Sequence, residues 1–532
     1  MTSFPQHRPV TLARRGIVAA PHYLAAEAGL DLLKAGGNAV DAAIAASAAL
    51  QVVYPFVCGL GGDVFMLVYD AKSGELYGLN GSGRSARMAT IERYHELGYA
   101  TMPVFGIHAV TVPGCASGWD AAMQRSGRLG LEAALAQAIA YAEEGFAIGP
   151  GLHAALTSGS TRAEFHRSWR EHFLPGGTDP PVGAVARFPT LARTLRTIAK
   201  SGSETFYRGE IAEQIAAFFT REGGLITRDD LAAHQSEWMT PLSVPFAGLR
   251  VYELPPNTQG ITALQMLGMV DQLPLGEDAL APETVHLSVE AKKVAFADRA
   301  AYLTDAAYMR VNPAAFIDAG YLARRRALID PTRAQPSVAP GSFTGDTIYL
   351  CAADREGNVV SLIQSNYMGF GSGVVVEDTG IVLQNRGASF SLDPTAANAL
   401  APAKRTLHTL IPSMALRDGR PAMVFGAMGG DGQPQTHLQV YSAVARFGLN
   451  MQQAIEMPRW VHGGTPGGEM LLVESRFPPP TLDALRRLGH RVQEQGMWSS
   501  AMGHANGIVF DSSTGVMQGG SDPRAEGIAA GW

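Results

Sequence analysis

The sequence is poor in cysteine, in charge and in long apolar runs, and each shortage narrows what the chain can be. Cys58, Cys115 and Cys351 are the only thiols in 532 residues. They are odd in number and show no CxxC or Cys/His spacing, which argues against a disulfide framework and against a zinc site. Charged residues make up 17% with a net charge of −6, and neither sign gathers into a block. Nucleic acid and anionic membranes are therefore poor partners, and a small soluble ligand is the expectation. No segment reaches the roughly 18 consecutive apolar residues of a spanning helix. The richest run, Ala42 to Pro55, stops at a proline. The N-terminal stretch has basic residues but no unbroken apolar core ahead of a small-residue cleavage site, so the expected location is the cytoplasm.

Common catalytic signatures are missing as well. There is no G-x-S-x-G elbow, no HExxH, no Walker loop and no G-x-G-x-x-G fingerprint, which disfavours a serine hydrolase of the α/β type. What is present is Gly345-Asp346-Thr347-Ile348-Tyr349, preceded by the polar, proline-containing run Gln335 to Gly345. A chain can be cut in such a run without tearing a core. A threonine hydroxyl is a weak nucleophile without a base beside it, and an α-amino group freed on the same residue supplies one. Cleavage between Asp346 and Thr347 would turn an inert precursor into an enzyme.

At this length the chain forms two or more domains or one large interwoven one. Periodicity predicts two helices between His22 and Val53, broken at Gly36-Gly37-Asn38, and then a strand over Val64 to Tyr69. Residues 120 to 330 read as mostly helical, with Leu131 to Glu144, Glu210 to Glu222 and Pro282 to Tyr302 the clearest helices and Leu174 to Val182 a loop. Beyond Thr347 the pattern turns strand-like. Ile348 to Ala353 and Val359 to Gln364 read as a hairpin, Ile381 to Gln384, Ser413 to Leu416 and Ala422 to Phe425 as further strands, and Gln435 to Val444 as a helix. Helices packed on sheets follow from this order.

Around Thr347 the chain resembles the gamma-glutamyltransferases. Gly345-Asp346-Thr347, Asp354 and Gly357-Asn358 stand at that family's spacing. GGNAVDAAIA (36 to 45), GLGGD followed by FML (59 to 67), FYRGEIAEQI (206 to 215), GGLITRDDL (223 to 231), TPL (240 to 242), ADRAAYL (297 to 303), APAKR (401 to 405), GGDGQPQ (429 to 435) and SDPR (521 to 524) follow in family order. The resemblance implies an α/β fold, a four-layer αββα sandwich of the N-terminal nucleophile hydrolase type. It also implies self-cleavage into two interleaved fragments that stay associated as one structural unit. Residues 1–346 would form a large fragment of mostly helical outer layers plus strands, and 347–532 a small fragment headed by the nucleophile. Thr347 would attack an amide of a small molecule and pass the acyl group to water or an amine, with Ser365 hydrogen-bonding the nucleophile and Gly429-Gly430 forming the oxyanion hole. No metal or cofactor is implied. A further homo-oligomer stays open.

The departures from the family pattern concern the substrate. Tyr367, Arg386 and Ser389 stand where relatives hold a γ-glutamyl α-ammonium with Asn, Gln and Asp, so the ammonium loses its anionic partner and faces a guanidinium. His408-Thr409 replaces a pair of serines. The family arginine for the γ-glutamyl carboxylate aligns with Ser82, with Arg84 close but out of register. Arg386 can pair bidentately with a carboxylate. The expected substrate is thus an amide of a carboxylate-bearing acyl group lacking an α-ammonium, as in cephalosporin acylases and oxamate amidohydrolases. The short segment Ser391 to Leu400, where some relatives carry a longer lid, favours hydrolysis over transfer. A true γ-glutamyl hydrolase or transferase acting on glutathione, and a catalytically silent binding protein, are the alternatives. Plainer readings also exist for single residues: a turn for Gly429-Gly430, a strand-end turn former for Ser365, a surface arginine for Arg386 and a core histidine for His408.

Overall fold

The helix Ala39–Val53 is almost entirely small and apolar, and every one of its residues is buried. Asn38 begins it through a capping box, its side chain accepting from the amides of Val40 and Asp41 while the Asp41 carboxylate accepts from the Asn38 amide. The preceding helix, Tyr23–Lys34, ends ahead of Gly36, which takes φ +97° in the turn between them. The computed structural model describes residues 4–158, 162–335, 346–465 and 468–532.

These helices cover one face of a seven-stranded sheet. Its strands run in the order Ile528–Gly531, Gly16–Ala20, Asp346–Asp354, Val359–Tyr367, Asp63–Asp70, Glu75–Gly81 and Glu237–Met239, each antiparallel to its neighbours. A second antiparallel sheet of seven strands orders Thr11–Ala13, Met517–Ser521, Ala505–Phe510, Arg420–Ala427, Ser413–Arg417, Leu249–Glu253 and Leu242–Phe246.

Side-chain alternation along the strands builds the layers. Ile348, Leu350 and Ala352 join the helical core with Val40 and Ile44, whereas Tyr349, Cys351 and Ala353 point the other way and pack with Met414, Leu416 and Val424 of the second sheet. On the far face, Ala415, Met423 and Phe425 pack with Leu264, Val289 and Leu438 of the helices Gly260–Val270, Pro282–Tyr302 and Gln433–Ala445. Helix, sheet, sheet, helix is the four-layer order expected from the resemblance. Residues on both sides of Thr347 supply strands to both sheets.

The hairpin at Thr347 is longer than its apolar pattern indicated, because backbone pairing continues to Asp346 and Tyr367 after the large side chains stop. Within the stretch read as mostly helical, Leu242–Phe246 and Leu249–Glu253 form a hairpin. Its two-residue turn places Ala247 and Gly248 at φ +47° and +78°, as a tight hairpin turn of right-handed twist requires. Strands of five residues carry too few alternations to stand out among long helices. The three cysteines are free and buried. The polar run at 336–345, expected to hold the approach to the cut, lies outside the described residues. Among the described residues no helix is long and apolar enough to cross a membrane.

Candidate active site

Antiparallel pairing brings distant residues to one end of the first sheet. The start of Asp346–Asp354, the end of Val359–Tyr367 and the start of Asp63–Asp70 lie side by side, with Asp346 opposite Tyr367 and Ser365 opposite Asp63. The register shifts between Asp346 and Ile348, so Thr347 sits in a bulge. Bulges re-aim side chains at strand ends. Thr347 is wholly buried, and its Oγ1 donates to Ser365 Oγ at 3.2 Å. The amide of Tyr367 donates to the same Ser365 oxygen at 2.7 Å, which fixes the serine rotamer beneath the threonine.

Tyr367 leaves the strand at φ +81°, a left-handed conformation that a bulky residue adopts only under constraint. Its ring lies 3.8 Å below the Arg386 guanidinium and its phenol is hydrogen-bonded with Ser389. Arg386 opens a short 3-10 turn and is 1% exposed. Its Nη1 donates to Thr409 Oγ1 at 3.1 Å, and its Nη2 has no partner among the described residues. Burial lowers its pKa to about 10, while Tyr367, Asp63 and Asp431 pull the other way, so the group stays cationic near neutrality. A buried guanidinium with an unused N–H edge is suited to an anion.

His408 turns away from that edge. Its Nε2 donates to Asp63 Oδ2 at 3.0 Å and its Nδ1 accepts from the Leu410 amide at 3.4 Å. Burial, helped by Arg386, drives the His408 pKa well below its ordinary value. Burial likewise pushes Asp63 up to about 7 against the pull of Arg386 and the Gly83 amide. A neutral imidazole beside a reluctant carboxyl is a buried core pair.

The second sheet brings a glycine pair into the same group. Gly429 and Gly430 follow the strand Arg420–Ala427 at φ +131° and +52°. Among the described residues neither of their amides donates to a protein acceptor. Gln259 locks this turn to Thr409, since its Nε2 donates to the carbonyls of Thr409 and Gly430, both at 2.9 Å. Arg299 in turn donates to Gln259 Oε1 and holds Asp431 through both carboxylate oxygens, at 2.6 and 3.1 Å. An unbroken chain of contacts thus runs from Thr347 through Ser365, Tyr367, Arg386, Thr409 and Gln259 to Gly430.

Ser82 and Arg84 stand apart from this chain. Ser82 Oγ donates to Asn80 Oδ1 at 2.7 Å, and Arg84 pairs with Glu237 and Asp305, each at 3.2 Å. Ser389, Tyr367, Arg386 and Thr409 are brought together. Asp63, Gln259, Arg299 and Asp431 escaped the sequence reading as site residues. Asp63, Arg299 and Asp431 lie inside family-like blocks, but a block does not say what its polar residue touches. Gln259 lies in none.

Comparisons with known proteins place the chain among enzymes of one family. Over 529 residues the chain is 40% identical to the glutathione hydrolase-like YwrD proenzyme of Bacillus subtilis (strain 168), covering 98% of this chain and 99% of that one. It is 41% identical over 530 residues to the oxamate amidohydrolase proenzyme of Klebsiella pneumoniae, with the same shares covered. The crystal structure of cephalosporin acylase from Bacillus halodurans superposes with a TM-score of 0.94 at 44% identity, over 100% of this chain and 98% of that one. The sequence profile described as gamma-glutamyltranspeptidase matches residues 25–532. With its two-sheet sandwich and near full-length likeness to such enzymes, the chain belongs to the gamma-glutamyltranspeptidase family.

Proposed function

We propose that this protein cuts itself before Thr347 and then uses that residue to hydrolyse an amide whose acyl group carries a carboxylate. The Thr347 hydroxyl attacks the amide carbonyl and its new α-amino group takes the hydroxyl proton. A free α-amino group titrates at about 7.7–8.0, which suits a base working near neutrality. The Gly429 and Gly430 amides, committed to no other acceptor among the described residues, receive the oxyanion. The amine then leaves with a proton, and water releases the acid.

The observation that carries the substrate reading is the buried Arg386 guanidinium, whose Nη2 is unpaired among the described residues. It favours a carboxylate over an ammonium in the acyl pocket. A γ-glutamyl substrate needs an anionic partner for its α-ammonium. The two acids whose charge reaches Arg386, Asp63 and Asp431, are already held by His408 and Arg299. The relative that acts on oxamate supports a short acyl group with its carboxylate next to the scissile amide. A cytoplasmic location belongs to the same reading.

Comparing hydrolysis of oxamate, glutaryl-p-nitroanilide and γ-glutamyl-p-nitroanilide tests it. Oxamate or the glutaryl amide should give the highest kcat/KM, and a clear win for the γ-glutamyl compound would refute the pocket. Two bands on a denaturing gel, reduced to one by Thr347→Ala, are expected for the cut.

A further inference from the structure

The helix Pro282–Tyr302 carries His286 and Glu290 one turn apart, and the loop after the helix Pro479–Arg487 brings His490 against them. All three side chains are buried, and one ligand atom from each lies within 4.8 Å of the other two. His286 Nε2 donates to the Asp330 carbonyl at 2.9 Å. A carbonyl only accepts, so the proton sits on Nε2 and the Nδ1 lone pair faces His490 Nε2, 2.8 Å away. Glu290 is held from behind: Oε1 accepts from Lys293 at 2.7 Å and Oε2 from the Gln335 amide at 3.2 Å. Lys293 also donates to the Gln335 carbonyl at 2.7 Å. Imidazole N–H donated to a backbone carbonyl, and a carboxylate anchored by outer donors, are the supports that orient metal ligands.

We propose that His286, Glu290 and His490 form a site for a divalent ion of the zinc class, solvent completing its coordination, and that this ion bridges the polypeptide before Thr347 to the polypeptide after it. Two imidazoles and one carboxylate suit Zn²⁺, Co²⁺ or Ni²⁺, whereas Mg²⁺ and Ca²⁺ take oxygen donors. Binding replaces the hydrogen bond between the histidines. The His490 Nε2 proton passes to solvent or reappears on Nδ1, and the two nitrogens part to roughly 3.3 Å, the spacing set by Zn–N bonds of about 2.0–2.1 Å. Lys293, which neutralises Glu290 without the ion, keeps its bond to the Gln335 carbonyl. Sequence spacing could not show this set, because His490 lies 204 residues beyond His286. The bridging role rests on the cut before Thr347, while ion binding does not.

Full-length protein stripped with a chelator and titrated with Zn²⁺ and Co²⁺ tests the site. One equivalent should bind, giving Co²⁺ the strong visible absorption of a four-coordinate ion, with displacement by Zn²⁺ and not by Mg²⁺. His286→Ala, Glu290→Gln and His490→Ala should each weaken Zn²⁺ affinity by at least about 100-fold, while His490→Cys, a thiolate ligand, keeps it. Glu290→Gln retains the contacts to Lys293 and carries the test should an alanine variant fail to fold by circular dichroism. No stoichiometric binding by the wild type, or binding that survives these substitutions, overturns the site. In two-band protein, chelation should lower the urea concentration that separates the fragments, and should have no effect in Glu290→Gln. A wild-type midpoint indifferent to chelation overturns the bridge. A chain that binds zinc yet runs as one band leaves the site standing and refutes the cut.

Discussion

Without the Ser365 hydroxyl, the Thr347 oxygen loses its partner at 3.2 Å and the Tyr367 amide loses its acceptor at the same time. Ser365→Ala should therefore slow acylation by about 10²-fold, the low end of what a positioned proton-transfer partner contributes. Single-turnover kinetics on processed protein would measure it. Arg386→Gln should spare processing but raise KM for a carboxylate-bearing substrate. A hydrogen bond to a charged group is worth about 1.5–3 kcal/mol, so the increase is roughly 10- to 100-fold. Asp63 gives a pH signature. Its folded pKa, raised to about 7 by burial, lies above its ordinary 3.8, so its stabilising contribution is full below pH 3.8 and is lost as pH rises through about 7. His408 has the opposite sign, since its lowered pKa removes stability as pH falls below 6.5. Urea midpoints for wild type and Asp63→Asn should thus converge toward pH 4 and diverge, with wild type falling behind, toward pH 8. At this scale the candidate residues Thr347, Ser365 and Gly429-Gly430 were named in sequence through the family resemblance, and the structure places Ser365 against Thr347. The Asp63–His408 pair was not legible, because 345 residues separate two groups that either could have satisfied elsewhere.

The hairpin that carries Thr347 is held at its far end by one carboxylate. Asp354 Oδ1 accepts from the amides of Glu356 and Asn358, and Oδ2 from the Asn358 side chain and the Ala39 amide at the start of the buried helix. The turn and the helix N-terminus are thereby joined. Asp354→Ala strands one buried donor, the Ala39 amide, at a cost of about 1–3 kcal/mol, and frees three part-buried donors of the turn. It should lower the thermal midpoint and slow processing although it lies a full strand length from Thr347. A differential scan and a time course of band appearance would check both. The sequence showed Asp354 and Gly357-Asn358 as spacing alone, and the structure supplies the reason for the spacing. Elements were read well where apolar periodicity ran long, as in Pro282–Tyr302, whose bounds coincide with the expectation. They were missed where strands are short, as in Gly16–Ala20, whose two branched residues give no alternation to read, or rich in glycine, as in Met517–Ser521, which lacks the branched and aromatic residues that mark a strand.

For the whole molecule, layer order was legible only through the resemblance. Alternation shows that a strand has two faces, not which sheet covers each. The strand Asp346–Asp354 lies inside its sheet between Gly16–Ala20 and Val359–Tyr367, paired on both edges. The last strand, Ile528–Gly531, returns to pair with Gly16–Ala20. Two fragments knit in this way should co-elute on gel filtration at any dilution that leaves them folded. Their entanglement has a kinetic side as well. An intact chain finds its partners within one molecule, but after the cut the same search needs an encounter between two. Refolding of processed protein from urea should depend on concentration and give poor yields, whereas Thr347→Ala should refold at a rate independent of it. The bulge at Thr347 would then act as a ratchet: once the bond there is broken, the protein holds a shape that its own pieces no longer readily find.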